Sequence, residues 1–183
     1  MPPSISDSYQ TLTLSPKEQS ELIIFASLYR DAKIIILYAE EVDPTNSANI
    51  QIVKELRDAL DHLMRLFLNK VNPDSDENGT YGLAQIDKAI GHVYRAAFDA
   101  LDGTVLSLKT KINDCLVKYD KRVIKEVLPS YWEVKALLNT LCSQISENRS
   151  NKDQHCPVRF LHEQFPGFVD SACQADRVAF VIH

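Results

Sequence analysis

Two histidines in matching surroundings hold most of the chemistry this chain can offer. Ala59-Leu60-Asp61-His62-Leu63-Met64-Arg65 and Ala89-Ile90-Gly91-His92-Val93-Tyr94-Arg95 both read Ala, aliphatic, any, His, aliphatic, any, Arg, and the two blocks lie about thirty residues apart. The chain has only five histidines, so two in equivalent settings call for an explanation. At 3.6 residues per helical turn, Asp58, His62 and Arg65 fall on one helix face, and His92, Arg95 and Asp99 fall on another. Histidine is the side chain whose charge changes near neutral pH, and flanking carboxylates and guanidinium groups tune it. The same residues equally suit a polar seam between two helices, because buried charges must be paired.

The elements that must position these blocks are helices. Ser15-Pro16-Lys17-Glu18 joins an N-cap serine, a proline at the first helical position and a glutamate three residues after the cap, so a first helix is expected over about 16–42. Asp43-Pro44 stops it, since the residue before proline is pushed out of the helical region. Ile52, Leu56, Ala59, Leu60, Leu63, Phe67 and Val71 recur at three and four and predict a second helix over about 47–71. Residues 72–82 read as a loop. From Leu83 the apolar period runs almost unbroken for some forty residues, up to Leu128-Pro129-Ser130, so that either Gly103 kinks one long helix or the helix projects as an antiparallel or intersubunit arm. A fourth helix is expected over 131–147. The expectation is therefore an all-α protein, an antiparallel helical bundle with long helices: a disordered tail over 1–15, the bundle over 16–148, and a small helical or irregular C-terminal appendage over 149–183. A short loop between the second and third helices makes them an antiparallel hairpin. Folded about that loop, His62 comes level with His92 and Arg95 level with Asp58 and Ala59, with Asp58 or Asp99 within salt-bridge reach.

Composition narrows the class. The chain has 183 residues, five glycines and a net charge of −5, which fits one globular domain rather than a protein that coats nucleic acid. The N-terminus lacks the basic and apolar regions of a signal peptide, and Ile34-Ile35-Ile36-Leu37-Tyr38-Ala39 is too short to span a bilayer, so a cytoplasmic protein with no membrane partner is expected. Cys115, Cys142, Cys156 and Cys173 form no CxxC pair and are expected as free thiols. His155, Cys156, His162 and Cys173 fit no standard zinc spacing, so neither a metal nor another cofactor is expected. The sequons at Asn78 and Asn148 carry no meaning inside a cell. Glycine-loop nucleotide motifs, a Gly-x-Ser-x-Gly elbow, His-Glu-x-x-His and the Glu-x-x-His pairs of di-iron bundles are all absent.

Within the first block, Arg57-Asp58-Ala59-Leu60-Asp61-His62 has the form Arg-x4-His. This resembles the motif of the HEPN superfamily, all-helical proteins that include metal-independent ribonucleases of toxin–antitoxin, CRISPR and phage-defence systems. The resemblance covers six residues and the helical architecture. It implies that His62 does acid–base chemistry at the ribose 2′-hydroxyl or the leaving oxygen, that Arg57 stabilises phosphate charge, and that Asp58 orients them. It also implies a dimer in which two motifs share a cleft, and a partner protein of the same system. Arg65, His92, Tyr94, Arg95 and Asp99 are then supporting or ligand-binding residues. In a straight helix, however, Arg57 and His62 point about 140° apart.

Lys109, Lys111, Lys118, Lys121, Arg122 and Lys125 stand against only Asp114 and Asp120, a local excess of positive charge suited to RNA phosphates or simply to a solvated face. The length of the third helix favours a homo-oligomer, with Ile34 to Leu37 as another possible interface. The alternative to a ribonuclease is a dimeric helical interaction or regulatory module whose His/Arg/Asp seam fixes helix register or holds a small anionic ligand.

Overall fold

The computed structural model describes residues 12–45, 49–71, 80–127, 129 and 131–150. Within them the chain forms five α-helices and no strand: α1 Pro16–Val42, α2 Ile50–Val71, α3 Tyr81–Leu116, α4 Lys121–Val127 and α5 Tyr131–Ser150. The expected all-α architecture is therefore present. The expectations for the N-terminal tail up to residue 11, for the C-terminal appendage beyond Ser150 with its Cys and His residues, and for Asn78 fall outside the described residues.

Local chemistry sets the helix ends. Ser15 and Glu18 form a full capping box: the Glu18 carboxylate accepts from the Ser15 backbone N–H at 2.8 Å, and the Ser15 hydroxyl accepts from the Glu18 N–H at 3.3 Å. At the other end of α1, the Asp43 carboxylate accepts from the Thr45 backbone N–H at 2.8 Å ahead of the turn that holds Pro44. Asn49 caps α2 through the Gln51 N–H at 3.0 Å.

The helical stretch expected from Leu83 to Leu128-Pro129-Ser130 is two helices, and the break is not at Gly103. α3 remains helical through Gly103, but the chain turns at 117–120, and the Asp120 carboxylate accepts the Arg122 N–H at 2.8 Å to start α4. An aspartate that caps locally competes with continuation of the helix, and no Gly or Pro marks the spot. At its far end α5 runs three residues past the expected limit at Glu147, to Ser150.

α3 is the hub. At 36 residues it is about 54 Å long, and α1, α2 and α5 all pack on it, the first two most extensively. From Ala89 to Val105 none of its residues is exposed. Ala89, Ala96, Ala97 and Ala100, all with no accessible surface, let α1 and α2 come close, and Phe98 fills the centre. The three long helices are tied together at one end by a buried ion pair. Glu18 of α1, 1% exposed, meets Lys70 of α2 at 2.7 Å, and Gly82 of α3 lies so near that an added Cβ would stand 2.0 Å from the Glu18 Oε1.

Candidate functional site

α2 and α3 form the expected antiparallel hairpin, and the two His blocks face each other across it. His62 reaches Gln85 at 2.8 Å, while His92 reaches Glu55 at 2.8 Å. The two imidazole rings stack with centroids 5.2 Å apart and planes inclined by 27°. His62 therefore sits along α3 between Gln85 and His92, short of the level with His92 that equal folding about the loop gives. Side chains on antiparallel helices lean toward opposite ends, which offsets ring contacts from backbone level.

The duplication extends further back than the histidines. Glu55 stands seven residues before His62, and Gln85 seven before His92, so each helix presents an acid or amide two turns ahead of its histidine on the same stripe. The bonds cross: each histidine takes the polar residue of the opposite helix. Two antiparallel helices are related by a local two-fold axis, and the stacked histidines lie near it.

The two ends of this arrangement differ in charge. At one end Glu55 Oε2 accepts from His92 Nδ1 and from Arg95 Nε, each at 2.8 Å, and Arg95 Nη2 lies 2.6 Å from His92 Nδ1. Nδ1 can donate to Glu55 or accept from Arg95, but not both, so each partner supports a different protonation of the ring. Burial pushes the Glu55 carboxyl up, but the hydrogen bonds from His92 and Arg95 and their positive charge outweigh it and hold the group below the usual glutamate range.

At the other end Gln85 is neutral and only 3% exposed. Its amide meets His62 Nδ1 at 2.8 Å, and a carbonyl on that side accepts a proton held on Nδ1. Arg65, the counterpart of Arg95, turns outward to Asp61 at 2.6 Å on the exposed surface.

The other expected site residues divide. Asp58 pairs with Arg57 at 2.7 Å, and Arg57 is 68% exposed. Bonding to Arg57 is the main cause that holds the Asp58 carboxyl below its usual range, and His92 and His62 add smaller contributions. Asp58 thus lies in the field of both histidines. α2 is an unbroken helix through Arg57 and His62, so their side chains diverge, and Arg57 is bonded to its neighbour Asp58. Asp99 is half-buried. Tyr94 is 6% exposed and packs on Phe98 with ring centroids 4.7 Å apart, which places it in the core.

The basic residues do not form one continuous arm. Lys109 and Lys111 belong to α3, Lys118 to the turn, and Lys121, Arg122 and Lys125 to α4. Glu55 and Gln85, the two groups that orient the histidines, escape a search confined to one helical turn around each histidine. The seven-residue spacing is the signal that finds them. Among the described residues no cluster of three His, Cys, Asp or Glu is placed to hold a metal ion, and no helix is long and apolar enough to cross a membrane. No protein-family model, curated protein or solved structure matches the chain.

Proposed function

We propose that this chain is a HEPN-like helical protein that cleaves RNA without a metal ion, as a homodimer, with the α2/α3 seam as its acid–base centre. The observation that carries the reading is the unequal support of two stacked histidines. His62 meets the neutral Gln85 through Nδ1, and His92 meets the Glu55 carboxylate through the same atom; on that difference in partners His62 is assigned as the base and His92 as the acid. His62 takes the proton of a ribose 2′-hydroxyl, whose oxygen attacks the adjacent phosphorus. The 5′-oxygen leaves with a proton from His92, giving a 2′,3′-cyclic phosphate and a 5′-hydroxyl end. Arg95 and the Arg57–Asp58 pair supply charge around the phosphate. A place in a defence or toxin–antitoxin system, with a partner protein, rests on the resemblance of the Arg57–His62 segment.

The outer face of α2 supports the dimer. Ile50, Val53, Leu60, Met64, Leu68 and Val71 are exposed at helical spacing, with Arg57 among them. The series reads alike in both directions about Leu60–Asp61, pairing Ile50 with Val71 and Val53 with Leu68. Two antiparallel α2 helices therefore close one apolar strip, the self-complementary contact of a two-fold dimer.

The test is incubation with single-stranded RNA in EDTA, comparing the wild type with His62→Ala, His92→Ala and Arg57→Ala, each checked for helicity and for mass in solution. Metal-independent cleavage that ends in a cyclic phosphate and is lost in both histidine variants supports the reading. Cleavage retained in His62→Ala removes it. A second reading, a non-catalytic interaction module, is favoured by the pairing of the seam within the chain and by the outward turn of Arg57. It wins if the wild type leaves RNA intact and the histidine variants only melt earlier.

A further inference from the structure

A concavity lies away from the seam, where α5 packs on the C-terminal half of α3. It has a volume of about 260 Å³. α3 lines it with Lys109, Ile112 and Asn113, and α5 lines it with Tyr131, Lys135, Leu138 and Asn139. No acidic residue is among them. Two lysines therefore line a cleft to which no carboxylate contributes.

Neither ammonium has a carboxylate partner among the described residues. Lys109 donates to the Cys142 Sγ at 3.1 Å, a weak acceptor that leaves most of its donor capacity open. Lys135 lies 5.7 Å from the ring centroids of both Tyr131 and Trp132, which meet edge to face at 4.9 Å. These rings hold the Lys135 ammonium at the rim by cation–π attraction, so less side-chain freedom is lost when it meets an anion. Ile112, Leu138 and the buried Tyr131 give the cleft an apolar wall, while Asn113 and Asn139 bring donors and acceptors able to read a ring edge or a sugar hydroxyl.

We infer that the α3/α5 cleft binds a nucleoside monophosphate group, its phosphate between Lys109 and Lys135 and its ring against Ile112, Leu138 and Tyr131. The volume, just below the range of about 300–1,000 Å³ usual for ligand sites, is of the size of a single nucleotide. A free mononucleotide and the 5′-phosphorylated end of an RNA strand present the same chemistry. The inference stands apart from the α2/α3 seam and does not need catalysis there.

Trp132 is the only tryptophan in the chain and reports directly on Lys135. Its fluorescence is followed in the full-length protein titrated with adenosine and cytidine 5′-monophosphate, inorganic phosphate, and an oligoribonucleotide with a 5′-phosphate or a 5′-hydroxyl. Calorimetry serves as the second readout. A saturable response to a mononucleotide or to the 5′-phosphorylated strand is expected, weakened about tenfold or more in Lys109→Gln and in Lys135→Gln and falling with added salt. Response to the phosphorylated strand alone assigns the strand end as the source, and response to the free mononucleotides assigns the nucleotide. The inference is overturned if inorganic phosphate or the 5′-hydroxyl strand binds equally well, if no titrant gives a saturable response, or if the folded double variant binds like the wild type.

Discussion

Replacing Gly82 by alanine should destabilise the protein even though it removes a glycine from a helix. The added Cβ would lie 2.0 Å from Glu18 Oε1 and 2.9 Å from Leu66 Cδ1. To reach an ordinary carbon–oxygen contact of about 3.3 Å, the carboxylate must retreat by about 1.3 Å. Glu18 cannot swing freely, because the Ser15 cap and Lys70 hold it and its side chain is buried. A retreat of that size carries the 2.7 Å contact with Lys70 to about the limit of an ion pair. Breaking a buried pair costs about 3–5 kcal/mol, and replacing glycine in a helix returns at most about 1 kcal/mol. The net loss is about 3 kcal/mol, or roughly 6–12 °C in melting temperature for a chain of this size. Gly103 is the control in the same helix: an added Cβ there meets nothing within 4 Å, so Gly103→Ala should gain up to about 1 kcal/mol. Urea and thermal unfolding followed by helical circular dichroism measure both. A Gly82→Ala protein as stable as the wild type would refute the steric lock.

Two further outcomes follow from the same contacts. Glu18 and Glu55 both titrate below the usual glutamate range in the folded chain, so the stability they confer is complete above the unfolded value of about 4.3 and is lost as pH falls through the folded values. The melting temperature should hold steady above about pH 5 and drop more steeply below pH 4 in the wild type than in Glu18→Gln. Removing the acid in Glu55→Ala leaves the half-buried Arg95 guanidinium without its anion and the His92 ring without its Glu55 partner. After allowance for the solvent that reaches Arg95, a loss of about 2 kcal/mol is expected. A double-mutant cycle with His92→Ala should give a coupling of about 1 kcal/mol, and additive losses would mean that the His92–Glu55 contact contributes nothing.

Where the chain spells out its signals locally, the sequence defines the fold closely. The capping box, the proline after it and Asp43-Pro44 set both ends of α1 as observed, and the three-and-four apolar period sets α2 and most of α3. The break before α4 is hidden because one aspartate in a basic, apolar-periodic stretch looks like a surface residue until its carboxylate caps the next helix. Histidine pairing between α2 and α3 is legible from the duplicated block, but the exact register is not. Residues seven apart share a stripe, so a shift of two turns leaves the apolar pattern almost unchanged. For the same reason the acid bonded to His92 is Glu55, where a search within one turn offers Asp58 and Asp99. The Glu18–Lys70–Gly82 contact draws on three separate helices, and no spacing along the chain announces it.

The position of α3 at the hub has a consequence for synthesis. α1 and α2 leave the ribosome first, yet apart from the Glu18–Lys70 pair they touch each other little, and the residues they bury are buried against α3. The middle of α3 follows the end of α1 by some sixty residues, about 3–12 s at ordinary rates of translation. Throughout that interval Leu28 and Ile35, and Leu66 once it is made, each at most 1% exposed in the finished protein, await α3, alongside the outward-facing apolar residues of the same two helices. The nascent chain at that stage is a pair of sticky helices waiting for their spine, the state in which a chaperone or a premature second chain would find it.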